Sequence, residues 1–263
     1  QRNSEQGQQR KENILGMKSI ELQYKSLGIT RKISALLPER WDELTSDQLV
    51  LISRNYITTV DETEILCGML GIKKSIAARL DDFQRFCIAM ELDFMDNFKP
   101  HYAFVIRKLN GLNAPRPRLE GMSFGQFMFV DSYYEVAITS EDPEHLNKFI
   151  ACLYLPEGKP FSEQLIEDRA AYVNLFFKPE EKTAISLNYR LVKEWICERY
   201  PLLFRKPIAE AVAEQSRSQG SNWVKVYESL VGDDIVNQDK YSALPVHTVF
   251  RYLTTKLKEN GKR

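Results

Sequence analysis

The C-terminal region constrains the fold of this chain more than any other part. Residues 222–263 contain two amphipathic segments, separated by a Gly-Asp-Asp break and a short polar linker. The second segment opens at Pro245, and proline is preorganised for the first turn of a helix. Two such helices must bury their apolar stripes against each other or against a larger body. We therefore predict a C-terminal helical module whose role is packing and docking.

The remaining sequence predicts a mainly α protein with a small β-hairpin near its N-terminus. Ile20, Leu22 and Tyr24 alternate with polar residues, which is typical of a half-buried strand, and a turn follows at residues 26–28. Most later segments instead repeat apolar residues every three or four positions, the spacing of amphipathic helices. The predicted fold class is α+β, dominated by a helical bundle.

Helix boundaries are marked by local signals. Thr45 and Gln48 have the spacing of a capping box, and Asp61 and Glu64 repeat that spacing. Gly71 then ends the second helix. A long helix is predicted to open at Ser75, with one apolar face formed by Ile76, Leu80, Phe83, Cys87 and Met90.

Composition shifts divide the chain into five predicted parts. Residues 1–16 are polar and glutamine-rich, which is typical of a terminal tail or linker. This tail is either native or an addition to the natural chain. A domain with the hairpin and several helices is predicted at residues 17–113, and a central helical domain at 114–214. Residues 215–222 read as a Ser/Gln/Gly linker, followed by the C-terminal helical module at 223–263.

The overall composition is that of a folded protein from a reducing compartment. The chain has 36 basic and 36 acidic residues, and a neutral balance argues against a dedicated nucleic-acid binder. No apolar run approaches the length of a membrane span. We therefore predict a cytoplasmic location.

Four widely spaced cysteines are predicted to be buried free thiols: Cys67, Cys87, Cys152 and Cys197.

Charge is unevenly distributed along the chain despite the neutral total. Residues 41–96 carry a net charge of −6, residues 97–118 carry +5, and residues 119–168 carry −8. Alternating blocks of charge suit surfaces that meet complementary surfaces, including those of other copies of the same protein. Ordinary solvated faces are the alternative interpretation.

The basic block suggests one alternative function. Between residues 99 and 118 a predicted strand with alternating Tyr102, Phe104 and Ile106 is interleaved with cations. Aromatic and basic side chains in such an arrangement can stack bases and bind phosphates. The candidate nucleic-acid residues are Lys99, Arg107, Lys108, Arg116 and Arg118. A segment that faces another protein is the competing interpretation, and we favour it.

The sequence contains no catalytic or metal-binding motif that we can identify. There is no phosphate-binding glycine loop, no Cys-x-x-Cys pair and no His-Glu-x-x-His. The acidic cluster around Asp233 lacks the glycine and bidentate glutamate of a calcium loop. We therefore expect no cofactor, no metal and no enzymatic activity. An enzyme of unrecognised type remains an alternative, because a pocket is not visible in a sequence.

Dense aromatic residues suggest where a protein partner would bind. One group lies on the helix predicted after Ser123 and another in the C-terminal module. Some rings of the first group are expected to form an exposed contact patch, although a well-filled core is the safer interpretation of that group. The candidate partner-binding residues are Phe124, Phe127, Tyr133, Trp223, Tyr227, Phe250 and Tyr252.

Three stretches of sequence carry a resemblance to a known group of proteins. Residues 38–49 read P-x-x-W-D-E-L-T-x-x-Q-L, and residues 122–133 read M-S-F-G-x-F-x-x-x-D-S-Y. Residues 153–156, Leu-Tyr-Leu-Pro, and the module at 223–256 complete the set. Together they resemble uncharacterised proteins encoded in the tail-morphogenesis regions of prophages from Bacteroides-type bacteria, over residues 37–258.

The chain is also similar to phage tail assembly chaperones, which are helical proteins that coat the tape-measure protein before the tail polymerises. The resemblance implies a non-enzymatic assembly chaperone or structural component that binds other tail proteins. The implied partners are the tape-measure protein, other tail proteins or further copies of the chain. The implied location is the cytoplasm of the bacterial host or the virion. The shared motifs are structural, so the resemblance assigns no chemical role to any residue.

Overall fold

The computed structural model of the chain describes residues 17–140, 142–204 and 223–260. The predicted tail at residues 1–16 and the predicted linker at 215–222 lie outside the described residues. Within the described residues the chain forms eleven α-helices and five short or medium strands. The prediction of a mainly α fold with a small sheet near the N-terminus is confirmed.

The chain separates into two compact units. The first contains the described residues up to His101 together with Pro179–Leu191, and the second contains Tyr102–Lys178 together with the described residues from Val192 onward. The observed divisions therefore fall at other positions than the predicted ones at residues 113 and 214. The predicted domain scheme stays a prediction.

The first unit begins with the predicted hairpin. Strand β1, Lys18–Ser26, pairs antiparallel with β2, Ile29–Leu37, along its whole length. Leu27 and Gly28 both have positive φ, 51° and 77°, which is the geometry of the tight two-residue turns that match strand twist. One face of the hairpin is anchored in the core by Leu22, Ala35 and Leu37.

Two helices follow, and their boundaries are those that local signals predict. Helix α1, Ser46–Ile57, opens with the full capping box of Thr45 and Gln48. Helix α2, Glu62–Leu70, ends at Gly71, which adopts the left-handed conformation (φ 64°) that favours glycine. Asp61 occupies the N-cap position of α2, but its side chain accepts no capping hydrogen bond.

The long helix predicted from Ser75 is wrong, because the chain breaks there into two helices. Helix α3, Lys74–Ala77, is one turn long, and α4, Asp82–Glu91, starts again after an extended Asp81. The Asp81 carboxylate accepts a hydrogen bond from the backbone N–H of Gln84 at 2.8 Å. This N-cap stabilises a new helix start, which a continuous helix would not need.

Trp41 holds the core of the first unit together. It lies in a 3₁₀ turn, Trp41–Glu43, and is almost fully buried. Its indole N–H is within hydrogen-bond distance of two backbone carbonyl oxygens, those of Phe94 (3.1 Å) and Asn97 (3.0 Å). Its ring stacks on Phe98 with centroids 5.3 Å apart. The residues after α4 are therefore fixed to the start of the helical region.

The second unit is built from helices around an aromatic core. Its first three helices are α5, Phe124–Ser140, α6, Pro143–Leu153, and α7, Ile166–Phe176. Helix α8, Pro179–Arg199, contributes its residues from Val192 onward. The C-terminal helices are α9, Trp223–Val231, α10, Gln238–Ala243, and α11, Val246–Asn260.

A small antiparallel sheet completes the second unit. Strands β3, Lys108–Leu109, β4, Leu112–Asn113, and β5, Leu155–Pro156, are hydrogen-bonded in that order. Asn110 and Gly111 form the tight turn between β3 and β4, with φ of 47° and 80°. The side chain of Asn110 also donates a 2.7 Å hydrogen bond to the carbonyl of Phe176, at the end of α7.

The strand predicted to run from Tyr102 to near Asn110-Gly111 is formed only at Lys108–Leu109, the residues of β3. Phe104, Val105 and Ile106 are all buried, whereas a half-buried strand would expose every second side chain. The Tyr154 hydroxyl, itself buried, donates a 2.5 Å hydrogen bond to the carbonyl of Ile106. This segment lies in the core of the second unit, where tertiary packing outweighs the alternating sequence pattern.

Candidate functional site

Four of the seven predicted partner-binding residues lie in the core. Phe124, Phe127 and Phe250 are fully buried, and Trp223 is 7% exposed. Trp223 packs against all three phenylalanine rings, with centroid distances of 6.0, 5.2 and 5.8 Å. The assignment of these four rings to a partner surface is therefore corrected: they join α5, α9 and α11 inside the second unit.

A buried polar network fixes the same cluster. The Trp223 indole N–H donates to Asp131 Oδ2 at 2.7 Å, and Lys193 Nζ contacts Asp131 Oδ1 at 2.7 Å. Lys193 also pairs with Glu135. Burial lowers the pKa of Lys193, but the two carboxylates outweigh that effect and raise it to about 12. Asp131, which the sequence motif D-S-Y includes, thus has a structural role.

The other three predicted partner residues are partly accessible. Tyr133 is half-buried and its ring stacks near Phe129, with centroids 6.3 Å apart. The Tyr227 hydroxyl donates to the carbonyl of Gln238 at 2.7 Å. Tyr252, on α11, is 50% exposed. Their role in partner binding stays a prediction.

The predicted nucleic-acid residues do not form one aromatic and basic strand. Phe104 is buried, and the Arg118 guanidinium lies over the ring of Tyr102 at 4.7 Å, so neither ring is open to a base on both faces. Lys108 is within 3.5 Å of Glu157. Lys99 belongs to the first unit, whereas Arg107, Lys108, Arg116 and Arg118 belong to the second. The alternation of aromatic and basic side chains predicted for this segment is therefore not found on one face of a strand, and the nucleic-acid role of these residues stays a prediction.

The most exposed apolar helix face in the first unit is on α4. The face is formed by Phe83, Phe86, Cys87 and Met90, whose spacing places them on one side of the helix. Phe83 is 74% exposed, Phe86 63% and Met90 59%, and Cys87 is also exposed. The opposite side carries Ile88, which is buried. We call these four residues the α4 face.

Contacts at both ends of α4 hold its apolar face outward. Arg85 donates from Nε to the carbonyl of Leu80 (3.1 Å) and from Nη2 to that of Ala77 (3.0 Å). At the other end, Glu91 pairs with Lys18 of β1 at 2.7 Å. The outward orientation of the α4 face therefore follows from the fixed positions of the polar residues on its sides.

The charges around the α4 face are mainly acidic. Asp82 precedes the face, Asp93 and Asp96 follow it, and all three are exposed. None of the three forms an ion pair with another described residue. The cation on the helix, Arg85, is only 19% exposed and also contacts Glu62 at 3.3 Å. The apolar strip is therefore preceded by one exposed carboxylate in the sequence and followed by two.

The second unit exposes an apolar pair at the end of α7. Leu175 is 76% exposed and Phe176 57%. Close to it, a cavity of about 330 Å³ is lined by the Asn110-Gly111 turn, residues of α7 and their neighbours: Leu112, Pro156, Leu165, Asp168, Arg169 and Tyr172. Leu175 and Phe176 provide a comparison surface for experiments on the α4 face, because their exposure is similar.

The four cysteines differ in accessibility: Cys152 is buried, Cys67 and Cys197 are partly buried, and the prediction of burial is wrong for Cys87, which is exposed. Cys152 is fully buried, and burial raises the pKa of its thiol to about 12. Burial likewise raises the pKa of Cys197 to about 11 and raises that of Cys67. Cys87 lies in the middle of the α4 face, so its thiol can report on what covers that face.

The three histidines have local contacts. His145 Nδ1 lies 2.8 Å from Asp142, the N-cap of α6. His247 Nδ1 lies 2.8 Å from the Tyr200 hydroxyl, and His101 is buried.

Within the described residues, no three His, Cys, Asp or Glu side chains converge where a metal ion could bind. Among the helices of the described ranges, none has both the length and the apolar character needed to cross a membrane.

Comparison of the chain with models of protein families, with curated proteins and with solved structures found no match. The α4 face is thus identified from the geometry of this chain alone.

Sequence reasoning placed Phe83, Cys87 and Met90 on one apolar face of a helix, and it did not select Phe86. The helical period shows that these residues share a side, but it does not show which way that side faces. A usable signal was present, because Asp81 and Gln84 have capping-box spacing and predict a helix start in the middle of the assumed long helix.

Proposed function

We propose that this chain is a non-enzymatic protein-binding protein, and that its partner docks on the α4 face. The observation that carries the proposal is the outward orientation of Phe83, Phe86 and Met90 on one ordered helix. Together these side chains expose roughly 350 Å² of apolar surface, which is within the range of patches that often mark interaction sites.

The α4 face suits protein binding better than catalysis. Its members are two phenyl rings, a thioether and a thiol, and two polar residues beside them, Arg85 and Glu91, are already engaged in ion pairs with Glu62 and Lys18. Methionine and phenylalanine adapt their shapes to an apolar partner and gain most from its contact.

The resemblance to prophage tail-region proteins supplies the biological setting of the proposal. In that setting the chain acts in tail morphogenesis as an assembly chaperone or a structural component, and the partner is another tail protein such as the tape-measure protein. The α4 face is compatible with either role, since both require an apolar surface that is covered after assembly.

Co-expression tests the proposal directly. The tagged chain is produced together with its genomic neighbours, in the wild-type form and as the double variant Phe83→Ser/Phe86→Ser. We expect a tail protein to co-purify with the wild type and to be lost from the double variant, while the circular dichroism spectrum stays unchanged. The matched control is Leu175→Ser/Phe176→Ser, which removes similarly exposed apolar residues and should retain the partner.

Two results would contradict the proposal. If the partner is retained by Phe83→Ser/Phe86→Ser and lost from the control variant, the docking surface is at the end of α7. If no neighbour is recovered and the purified chain turns over a substrate, the protein is an enzyme.

A further inference from the structure

We infer that the segment covering the α4 face is a basic amphipathic helix of the partner protein. This inference rests on the proposed function and adds the chemistry of the partner. Two independent observations support the inference. One is the hydrogen-bonded helical backbone of α4, and the other is the charge of the residues beside the face.

The backbone of α4 favours a helical occupant. Apart from its terminal groups, the N–H and C=O groups of α4 are paired along the helix, so the face offers side chains and no free strand edge to a partner. An extended peptide laid there would leave its own backbone groups without partners, whereas a helix satisfies its own. The residues at positions 83, 86, 87 and 90 form a ridge about 10 Å long, which corresponds to two turns of a partner helix.

The charge around the face selects a basic partner. Residues 81–96 include five acids and one base; among the acids, Glu91 is paired with Lys18 of β1 and Asp81 caps the helix. That base, Arg85, is mostly buried in its contacts with α3 and Glu62, whereas the carboxylates of Asp82, Asp93 and Asp96 are exposed. A docked helix with acidic flanks would place like charges together, and one with lysine or arginine flanks would pair with them.

Two designed peptides test the inference. Both are fluorescein-labelled helices of about 18 residues with the same leucine face. One carries lysines beside that face and the other carries glutamates at the same positions. Binding to the full chain is measured by fluorescence anisotropy, and protection of Cys87 from a maleimide reagent shows whether the peptide lies on the α4 face.

The expected results follow from charge pairing at an exposed rim. The lysine peptide should bind at least tenfold more tightly than the glutamate peptide and should protect Cys87. Its affinity should fall about tenfold in Asp82→Asn/Asp93→Asn/Asp96→Asn and several-fold between about 0.05 and 0.5 M salt. Phe83→Ser/Phe86→Ser should abolish binding, and Leu175→Ser/Phe176→Ser should not change it.

Three results would overturn the inference. If the glutamate peptide binds as tightly as the lysine peptide, charge does not select the partner, although the α4 face still docks one. If neither peptide protects Cys87 but a co-purified tail protein does, the occupant is not a basic helix. If the chain alone self-associates as its concentration rises and Phe83→Ser/Phe86→Ser removes that association, the occupant is a second copy.

The proposed function fails by a different result, since it requires only that the loss of Phe83 and Phe86 releases the natural partner. The two experiments therefore distinguish an incorrect partner chemistry from an incorrect docking surface.

Discussion

Replacing the two rings of the α4 face should separate binding from stability. Phe83 is 74% exposed and Phe86 63%, so each ring leaves roughly 120 Å² of apolar surface in water. At about 25 cal/mol per Å², covering that surface contributes at most about 3 kcal/mol per ring to binding, before the costs of association are subtracted. The part of each ring already buried in the isolated chain contributes about 1 kcal/mol to folding.

Phe83→Ser/Phe86→Ser is therefore expected to weaken partner binding by more than a hundredfold, which is about 3 kcal/mol or more. It should lower the free energy of unfolding by only about 2 kcal/mol. Binding is measured by titration calorimetry with the purified partner, and stability by urea denaturation of the free chain. Phe250→Ser is the comparison variant, because the loss of this fully buried ring should lower the free energy of unfolding by about 3–5 kcal/mol.

The reasoning would be refuted if the double variant lost as much stability as Phe250→Ser, since both rings would then be packed in a core. It would equally be refuted by unchanged affinity for the partner, because the rings would then be exposed in the complex as well.

Three further predictions concern the interior, a helix start and the thiols. Lys193→Met should lower the free energy of unfolding by about 3–5 kcal/mol at pH 7, because it leaves two carboxylates without their cation. Because the folded pKa of Lys193 is raised from 10.5 to about 12, its stabilising contribution is complete below pH 10.5 and is lost as the pH rises towards 12. The wild type should therefore lose roughly 2 kcal/mol more than Lys193→Met in urea denaturation over that range. Thr45→Ala should lower the free energy of unfolding by about 1 kcal/mol through loss of the capping box, whereas Thr45→Ser should restore most of it. In a thiol-labelling time course on the native chain, Cys87 should react first and Cys152 only when the chain unfolds.

Each of these predictions has a result that contradicts it. A fully stable Lys193→Met variant would mean that the carboxylates are solvated. Equal stability of Thr45→Ala and the wild type would mean that α1 needs no cap. Labelling of Cys152 at the rate of Cys87 would mean that the second unit opens readily.

Features set by neighbouring residues could be predicted from the sequence. The hairpin depends on alternation and on a turn, and the start of α1 depends on Thr45 and Gln48, which contact each other across one helical turn. The left-handed Gly71 is another such case. Local chemistry determines these elements with little help from distant residues, so the pattern alone was sufficient.

Features set by distant residues could not be predicted in the same way. Trp223 and Phe127 are far apart in sequence, and nothing local shows that their rings pack together in a core. The reverse holds for α4, where Arg85 and Glu91 fix the orientation through contacts with other elements. Four aromatic residues predicted to contact a partner are therefore buried, and an apolar helix face whose orientation the sequence left open is exposed.

The measurement that tests the central claim most directly is the labelling rate of Cys87 in the purified complex. The complex with the natural partner and the free chain are treated with the same maleimide reagent, and modification of each cysteine is followed by mass spectrometry. The account predicts that the partner slows modification of Cys87 by at least tenfold and leaves Cys197, in the second unit, unchanged. Unchanged labelling of Cys87 in a complex of confirmed stoichiometry would contradict the claim that the α4 face is the docking surface.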